Sequence, residues 1–159
     1  MITDIDEINL TGDQILISKR KCSLHQVIRK ILSLISWANV SIISYSISDI
    51  ALSNLALMKN DTSIQTLELI FDYSVKKNKF ALCVFASKIA DKMILSNTHI
   101  KLVIIRNHNS RIAVITSANL TENKRSELYH IITNYQTFDS CLEVYNTILS
   151  NSERFIYNG

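Results

Sequence analysis

Proline is absent from the 159 residues, and glycine occurs only as Gly12 and the terminal Gly159. With no glycine between those two, the phosphate-cradling P-loop, the dinucleotide fingerprint G-x-G-x-x-G and the hydrolase elbow G-x-S-x-G are all excluded. Collagen-like and Gly/Ser-linker architectures go the same way. The cysteines, Cys22, Cys83 and Cys141, are odd in number and far apart, with no C-x-x-C, so neither a zinc ribbon nor a redox pair is supported. Cys22 and His25 have a ligand-like gap, but one such pair is half a metal site. Cys83, in the apolar run Phe80-Ala81-Leu82-Cys83-Val84-Phe85, reads as a small buried hydrophobe. Free thiols point to a reducing compartment, hence a cytoplasmic location. No run approaches the roughly 18 apolar residues of a membrane span. The start, Met1-Ile2-Thr3-Asp4-Ile5-Asp6-Glu7, is acidic where a signal peptide needs a basic flank.

What is present is an apolar chain with thinly spread charge. Hydrophobic residues make up 47% and charged ones 19%, which excludes a disordered polyelectrolyte. Neither repeats nor low-complexity blocks interrupt it, so one domain over residues 1–159 is expected. The formal charge of +3 permits a phosphate-bearing partner without requiring one. The denser basic spots are Lys19-Arg20-Lys21, Arg29-Lys30, Lys76-Lys77 with Lys79, and Lys124-Arg125, each of which reads first as a solvated face or turn.

Apolar spacing predicts a strand at 14–18, an amphipathic helix over 24–38 and a strand at 39–45. A helix capped by Ser48 follows over 50–58, then a second helix over 64–77, a buried strand at 79–86 and a short helix over 87–95. Strands at 98–105, 111–116 and 128–133 and a closing helix over 138–149 complete the pattern. Helices and strands alternate early and strands run together late. The expected class is α/β: a mixed β-sheet flanked by helices on both faces.

Chemistry concentrates at one point. In a strand beginning at Thr98, the two-residue pleat puts His99 and Lys101 on one face. If 98–105 and 111–116 form an antiparallel hairpin around the polar stretch 106–110, opposed residues have numbers summing to about 217. Lys101 then faces Thr116, and Ser117 and Asn119 fall beside the His-Lys pair. A one-residue slip would undo this. Lys, Ser and Asn supply donors for anionic oxygens, and histidine is the natural nucleophile or proton carrier near neutral pH. A phosphodiester needs that combination. No carboxylate cluster stands ready for Mg²⁺, so neither a metal nor another cofactor is expected.

His99-Ile100-Lys101 followed by Thr116-Ser117-Ala118-Asn119-Leu120-Thr121 resembles the phospholipase D superfamily signature H-x-K…G-S-x-N. Asn123-Lys124-Arg125-Ser126-Glu127 resembles the N-x-E-type segment that follows it in that family. The match spans about thirty residues, from Thr98 to Glu127. Two positions depart from it: Arg106 stands where the family carries Asp, and Thr116 where it carries the glycine before Ser.

The resemblance implies a phospholipase D-like domain and a metal-independent phosphodiesterase, with nucleic acid as the preferred substrate. His99 would attack phosphorus and form a phosphohistidine, Lys101 and Asn119 would bind phosphate oxygens with Ser117 assisting, and Glu127 would orient the imidazole. The family's chemistry needs a second histidine, and His25, His108 and His130 lack a lysine two residues on. A homodimer with one His99 from each subunit is therefore implied. The departures at Arg106 and Thr116 motivate the alternative, a catalytically inactive dimer that binds nucleic acid or protein. The Asn- and Ile-rich, glycine-poor composition suits an AT-rich genome, a phage among the candidates.

Overall fold

The computed structural model describes residues 1–122 and 125–159. Asn123 and Lys124, part of the N-x-E-like segment and of one basic spot, lie outside the described residues. Eight strands form one mixed sheet in the order β1-β7-β6-β5-β2-β3-β4-β8. They are β1 (Gln14–Ile17), β2 (Ala38–Ser44), β3 (Ile64–Asp72), β4 (Lys92–Ser96), β5 (Leu102–Arg106), β6 (Arg111–Thr116), β7 (Leu128–Ile132) and β8 (Glu153–Arg154). β2, β3 and β4 run parallel and the other pairings are antiparallel. The α-helices among the described residues are α1 (Leu24–Ile35), α2 (Asp49–Asn60), α3 (Tyr73–Asn78), α4 (Phe80–Ile89) and α5 (Tyr135–Ser150).

Both faces of the sheet are covered, as the pattern predicts. On one face Leu24, Val27, Ile28 and Ile31 of α1, Leu52 and Leu55 of α2 and Cys83 and Ala86 of α4 bury Val40, Ile42, Leu69, Phe71, Val103 and Val114. On the other, Phe138, Cys141 and Tyr145 of α5 cover Ile43, Ile70, Leu102, Ile104, Ala113 and Ile132. α1 forms because its apolar stripe faces that first core, and because Gln26 Oε1 accepts from the Ser23 N–H at 2.8 Å to close the first turn. It stops at Ile35, short of residue 38, where Ser36 takes a left-handed φ of 73°. α2 is capped as expected, the Ser48 hydroxyl accepting from Ala51 N–H at 3.2 Å.

The middle of the chain departs from the sequence pattern. Residues 64–77 form strand β3 and then the short helix α3, not one helix. Of the strand expected at 79–86, Lys79 caps helix α4 and 80–86 belong to it, and 87–95 finish α4 and supply β4. The reason is burial on two sides. Ile70 faces one core while Leu69 and Phe71 face the other, so β3 loses the alternation that marks a strand. The apolar run of α4 has the converse ambiguity, since only Cys83 and Ala86, three apart, are buried. The strand expected from Thr98 begins at Leu102, leaving His99 and Lys101 in the segment that leads into β5.

The β5–β6 hairpin holds the expected register. Leu102 pairs with Ile115, Ile104 with Ala113 and Arg106 with Arg111, every pair summing to 217. The pairing continues past the strands, the Thr116 N–H donating to the Lys101 carbonyl at 3.3 Å.

Candidate active site

The carboxyl ends of β2, β3 and β6 and the starts of β5 and β7 all lie at one end of the sheet, because β5 and β6 run antiparallel to their neighbours. Crevices outside the carboxyl ends of parallel strands are where open α/β sheets bind ligands. Four of the five expected site residues sit in the segments just beyond those strands, and Glu127 immediately precedes β7.

His99 is exposed, and its ring packs against Tyr45, just past β2, with centroids 4.6 Å apart at 49°. Lys101 Nζ stands 3.2 Å from His99 Nδ1 and donates to the His99 carbonyl at 2.9 Å. It also lies 6.0 Å from the centre of the Tyr45 ring, within cation–π reach. Burial lowers the Lys101 pKa, and the negative charge of Glu127 opposes that shift. The ammonium is thus an under-solvated cation that an arriving anion would relieve.

Asp72 ends β3 and fixes the backbone before His99. Its carboxylate accepts from Thr98 N–H at 3.2 Å and from Ser74 N–H at 2.9 Å. Burial alone would raise its pKa, but the hydrogen bonds from Ser74 and Thr98 and the nearby His99 outweigh it, and the net shift is downward. Thr98 Oγ1 accepts in turn from Ile100 N–H at 3.2 Å, which sets the bend that presents the imidazole.

Ser117 and Glu127 form a second couple. The Ser117 hydroxyl donates to the Glu127 carboxylate and accepts from Leu128 N–H at 3.1 Å. Glu127 is locked from behind by Ser18, whose hydroxyl accepts from Glu127 N–H and whose own N–H donates to the Glu127 carbonyl, both at 2.9 Å. Asn119 is positioned through its neighbour: Leu120 N–H donates to Ser44 Oγ at 2.8 Å, and the Leu120 carbonyl accepts from Ser48 N–H at 3.1 Å. That ties Asn119 to the loop carrying Tyr45. Among the described residues, Asn119 Oδ1 is the buried side-chain atom left without a hydrogen-bond partner. Such an orphan costs about 1–3 kcal/mol and marks a place where a partner is missing.

The structure therefore brings together His99 with Lys101 and Ser117 with Glu127, and the two couples meet through the field of Glu127 on Lys101. Among the described residues, it is the Ser117 hydroxyl that the Glu127 carboxylate holds. Of the two departures from the signature, Arg106 lies away from this geometry and Thr116 lies within it, next to Ser117 and opposite Lys101. Arg106 closes β5 at the opposite end of that strand, roughly 16 Å from Lys101 at the ~3.3 Å rise of a strand. Thr116 does not take the positive φ that would call for glycine, and its hydroxyl accepts from Ala118 N–H at 2.9 Å.

Two participants escaped the sequence pattern, Tyr45 and Asp72. Their only advance signal was position, since each closes or follows a strand that runs toward His99, and β3 was not legible as a strand. Among the described residues, no group of three or more His, Cys, Asp or Glu is placed to share a metal ion, and no helix is long and apolar enough to cross a membrane. His25 is buried against the Ser23 hydroxyl, 3.1 Å from Nδ1.

No protein-family model and no curated protein matches the sequence. Solved structures do match. Nuc from Salmonella typhimurium, a phospholipase D family member, superposes with a TM-score of 0.69 at 18% identity, over 92% of this chain and 99% of that one. NucT from Helicobacter pylori gives 0.67 at 20% identity, over 90% and 98%. Polyphosphate kinase from Porphyromonas gingivalis gives 0.66 at 12% identity, over 89% of this chain and 26% of that one. At these identities the likeness is one of fold.

Proposed function

Starting from a chain with the phospholipase D fold, we propose a metal-independent phosphodiesterase, a nuclease, working through a phosphohistidine at the interface of a homodimer. The observation that carries this reading is the hairpin register. It sets His99 and Lys101 at the end of one strand beside Ser117 and Asn119 at the end of the next. The likeness in fold to Nuc and NucT supports the nuclease reading.

In the substrate-free protomer the Lys101 ammonium rests on His99 Nδ1 and the His99 carbonyl. A phosphodiester oxygen replaces the imidazole as its partner, making a stronger charge-assisted bond. With Nδ1 released by Lys101, the proton of the exposed ring passes through solvent from Nε2 to Nδ1; the Nε2 lone pair, on the far side of the ring, then attacks phosphorus, and the bond to the leaving oxygen breaks. Lys101, Asn119 and Ser117 hold the remaining oxygens as charge builds on them. The leaving oxygen takes its proton from His99 of the partner subunit. Water then attacks the phosphohistidine and returns a proton to that ring, releasing a phosphomonoester and free imidazole. Glu127 stabilises the imidazolium and accepts from its non-attacking nitrogen once Lys101 has swung away.

A second copy has a surface to occupy beside the site. Ile100, Ile115 and Leu128, with Val144 of α5, are 41–45% exposed. Three of them, with Lys101, Leu102 and Cys141, line or flank a groove of about 110 Å³. The inactive-dimer alternative keeps its motive in Thr116, which stands between Lys101 and Ser117, whereas Arg106 lies at the other end of β5.

The test is hydrolysis of bis(p-nitrophenyl) phosphate and plasmid nicking in EDTA, with wild type and His99→Ala mixed in varying proportion. A shared site makes activity fall as the square of the wild-type fraction. A linear fall removes the dimer mechanism, and no cleavage by undiluted wild type returns the chain to the inactive binding dimer.

A further inference from the structure

Resting on the nuclease reading above, we propose that the loop Lys19-Arg20-Lys21 is a clamp for the phosphodiester backbone of nucleic acid flanking the scissile bond. Four observations carry it. All three side chains are exposed. None takes part in the ion pairs of the described residues, whereas Lys30, Lys59, Lys92 and Arg111 each face a carboxylate. The loop has three cations and no internal counterion.

Its position is fixed at both ends. Ser18, one residue before Lys19, exchanges hydrogen bonds with Glu127 through backbone and hydroxyl, each at 2.9 Å. On the other side, the Cys22 carbonyl accepts from Tyr129 OH at 3.4 Å. With about 3.8 Å between successive Cα atoms, the three cations follow one to three residues along the chain from the contact with the Glu127 backbone. Lys21 N–H closes the turn on the Ser18 carbonyl at 2.8 Å, so the loop is a fixed platform.

The backbone supplies the fourth observation. Lys19 and Arg20 both have left-handed φ, 45° and 68°, the one consecutive pair of non-glycine residues in that region among those described. Glycine takes such angles without strain, and long side chains do not. Strain of this kind collects where a side chain is needed in place. Each neutralised phosphate releases counterions, so a three-cation clamp leaves a defined signature in salt dependence.

The experiment measures fluorescence anisotropy of a labelled duplex oligonucleotide on the His99→Ala background across a salt series. The variant Lys19→Gly/Arg20→Gly/Lys21→Ser is compared with Lys88→Ser/Arg106→Ser/Arg111→Ser, which removes the same charge at the far end of the sheet. The clamp predicts at least a tenfold loss of low-salt affinity for the first variant only. Its log–log salt slope becomes shallower by about 2–3, from ~0.9 per phosphate contact. With His99 restored, hydrolysis of bis(p-nitrophenyl) phosphate stays within about twofold of wild type, and Tm is equal or higher because glycine relaxes the turn. Equal slopes for the two triple variants, no duplex binding by the parent protein, or loss of small-ester hydrolysis alongside binding each overturn the proposal. Absent small-ester hydrolysis in the wild type defeats the nuclease reading alone, because the anisotropy comparison needs no turnover.

Discussion

At its closed end the β5–β6 hairpin turns through residues 107–110, where one side chain serves the whole turn. Asn107 Oδ1 accepts from the N–H groups of Asn109 and Ser110, both at 2.8 Å, and its Nδ2 donates to the Trp37 carbonyl at 2.7 Å. The His108 ring rests 5.3 Å from that of Trp37, so the tryptophan lies half-buried on the turn. At the open end the same two strands splay into His99, Lys101, Ser117 and Asn119. There an ammonium crowds an imidazole nitrogen and a buried amide oxygen has no partner. Strands, register and solvent are common to both ends, and only the satisfaction of polar groups differs. A turn that closes its own hydrogen bonds is structure. The open end leaves one buried acceptor, Asn119 Oδ1, with its hydrogen bonding unmet.

The sharpest way to break this comparison is His99→Ala. Activity should fall by about 10³-fold or more, as for an essential nucleophile, with thermal stability unchanged because the ring is exposed. An enzyme that keeps its rate, or that unfolds instead, makes the open end ordinary surface. Next in size is Lys101→Met, which should lower kcat by about 10²-fold while Tm rises slightly. A lysine pKa lowered on folding means that the charged form is the less stable one in the folded protein, so the cation costs stability at neutral pH. Activity and Tm falling together would show that Lys101 is a structural residue.

Asn107→Ala inverts the pattern. It strips four hydrogen bonds from the closed end and should cost about 1–3 kcal/mol by denaturant titration, with hydrolysis unaffected. The smallest effect concerns acid. The folded pKa of Asp72 lies below its unfolded value, so its stabilisation is present above the ordinary carboxylate value of about 3.9 and is lost as pH falls through the folded one. Unfolding midpoints measured from pH 5 to pH 3 should therefore fall less steeply in Asp72→Asn than in wild type. Parallel pH profiles would detach Asp72 from the site.

Much of the candidate site was legible in advance, for a local reason. The polar stretch between two apolar runs closes the hairpin in a short loop, and short loops leave little freedom of register. That alone aligned Lys101 with Thr116 and delivered Ser117 and Asn119 to their place. The mixed sheet with helices on both faces was legible too, from the alternation of patterns at the two ends of the chain. What misled was the centre, where residues 64–77 and 79–86 exchanged helix and strand. Contiguous apolar residues carry no period, and propensity then has nothing to arbitrate with.

By itself, then, the order of residues determined the hairpin, the register and the identity of the groups at its open end, because those depend on neighbours a few positions apart. Tertiary structure alone decided that Tyr45 would pack on His99, that Asp72 would hold Thr98, and that Ser18 would tie Lys19-Arg20-Lys21 beside Glu127. Each of those contacts joins segments 26 to 109 residues apart. They exist because β1 pairs with β7 and β3 lies parallel between β2 and β4. Burial on both faces fixes those pairings, a property of the assembled sheet that no single stretch of sequence contains.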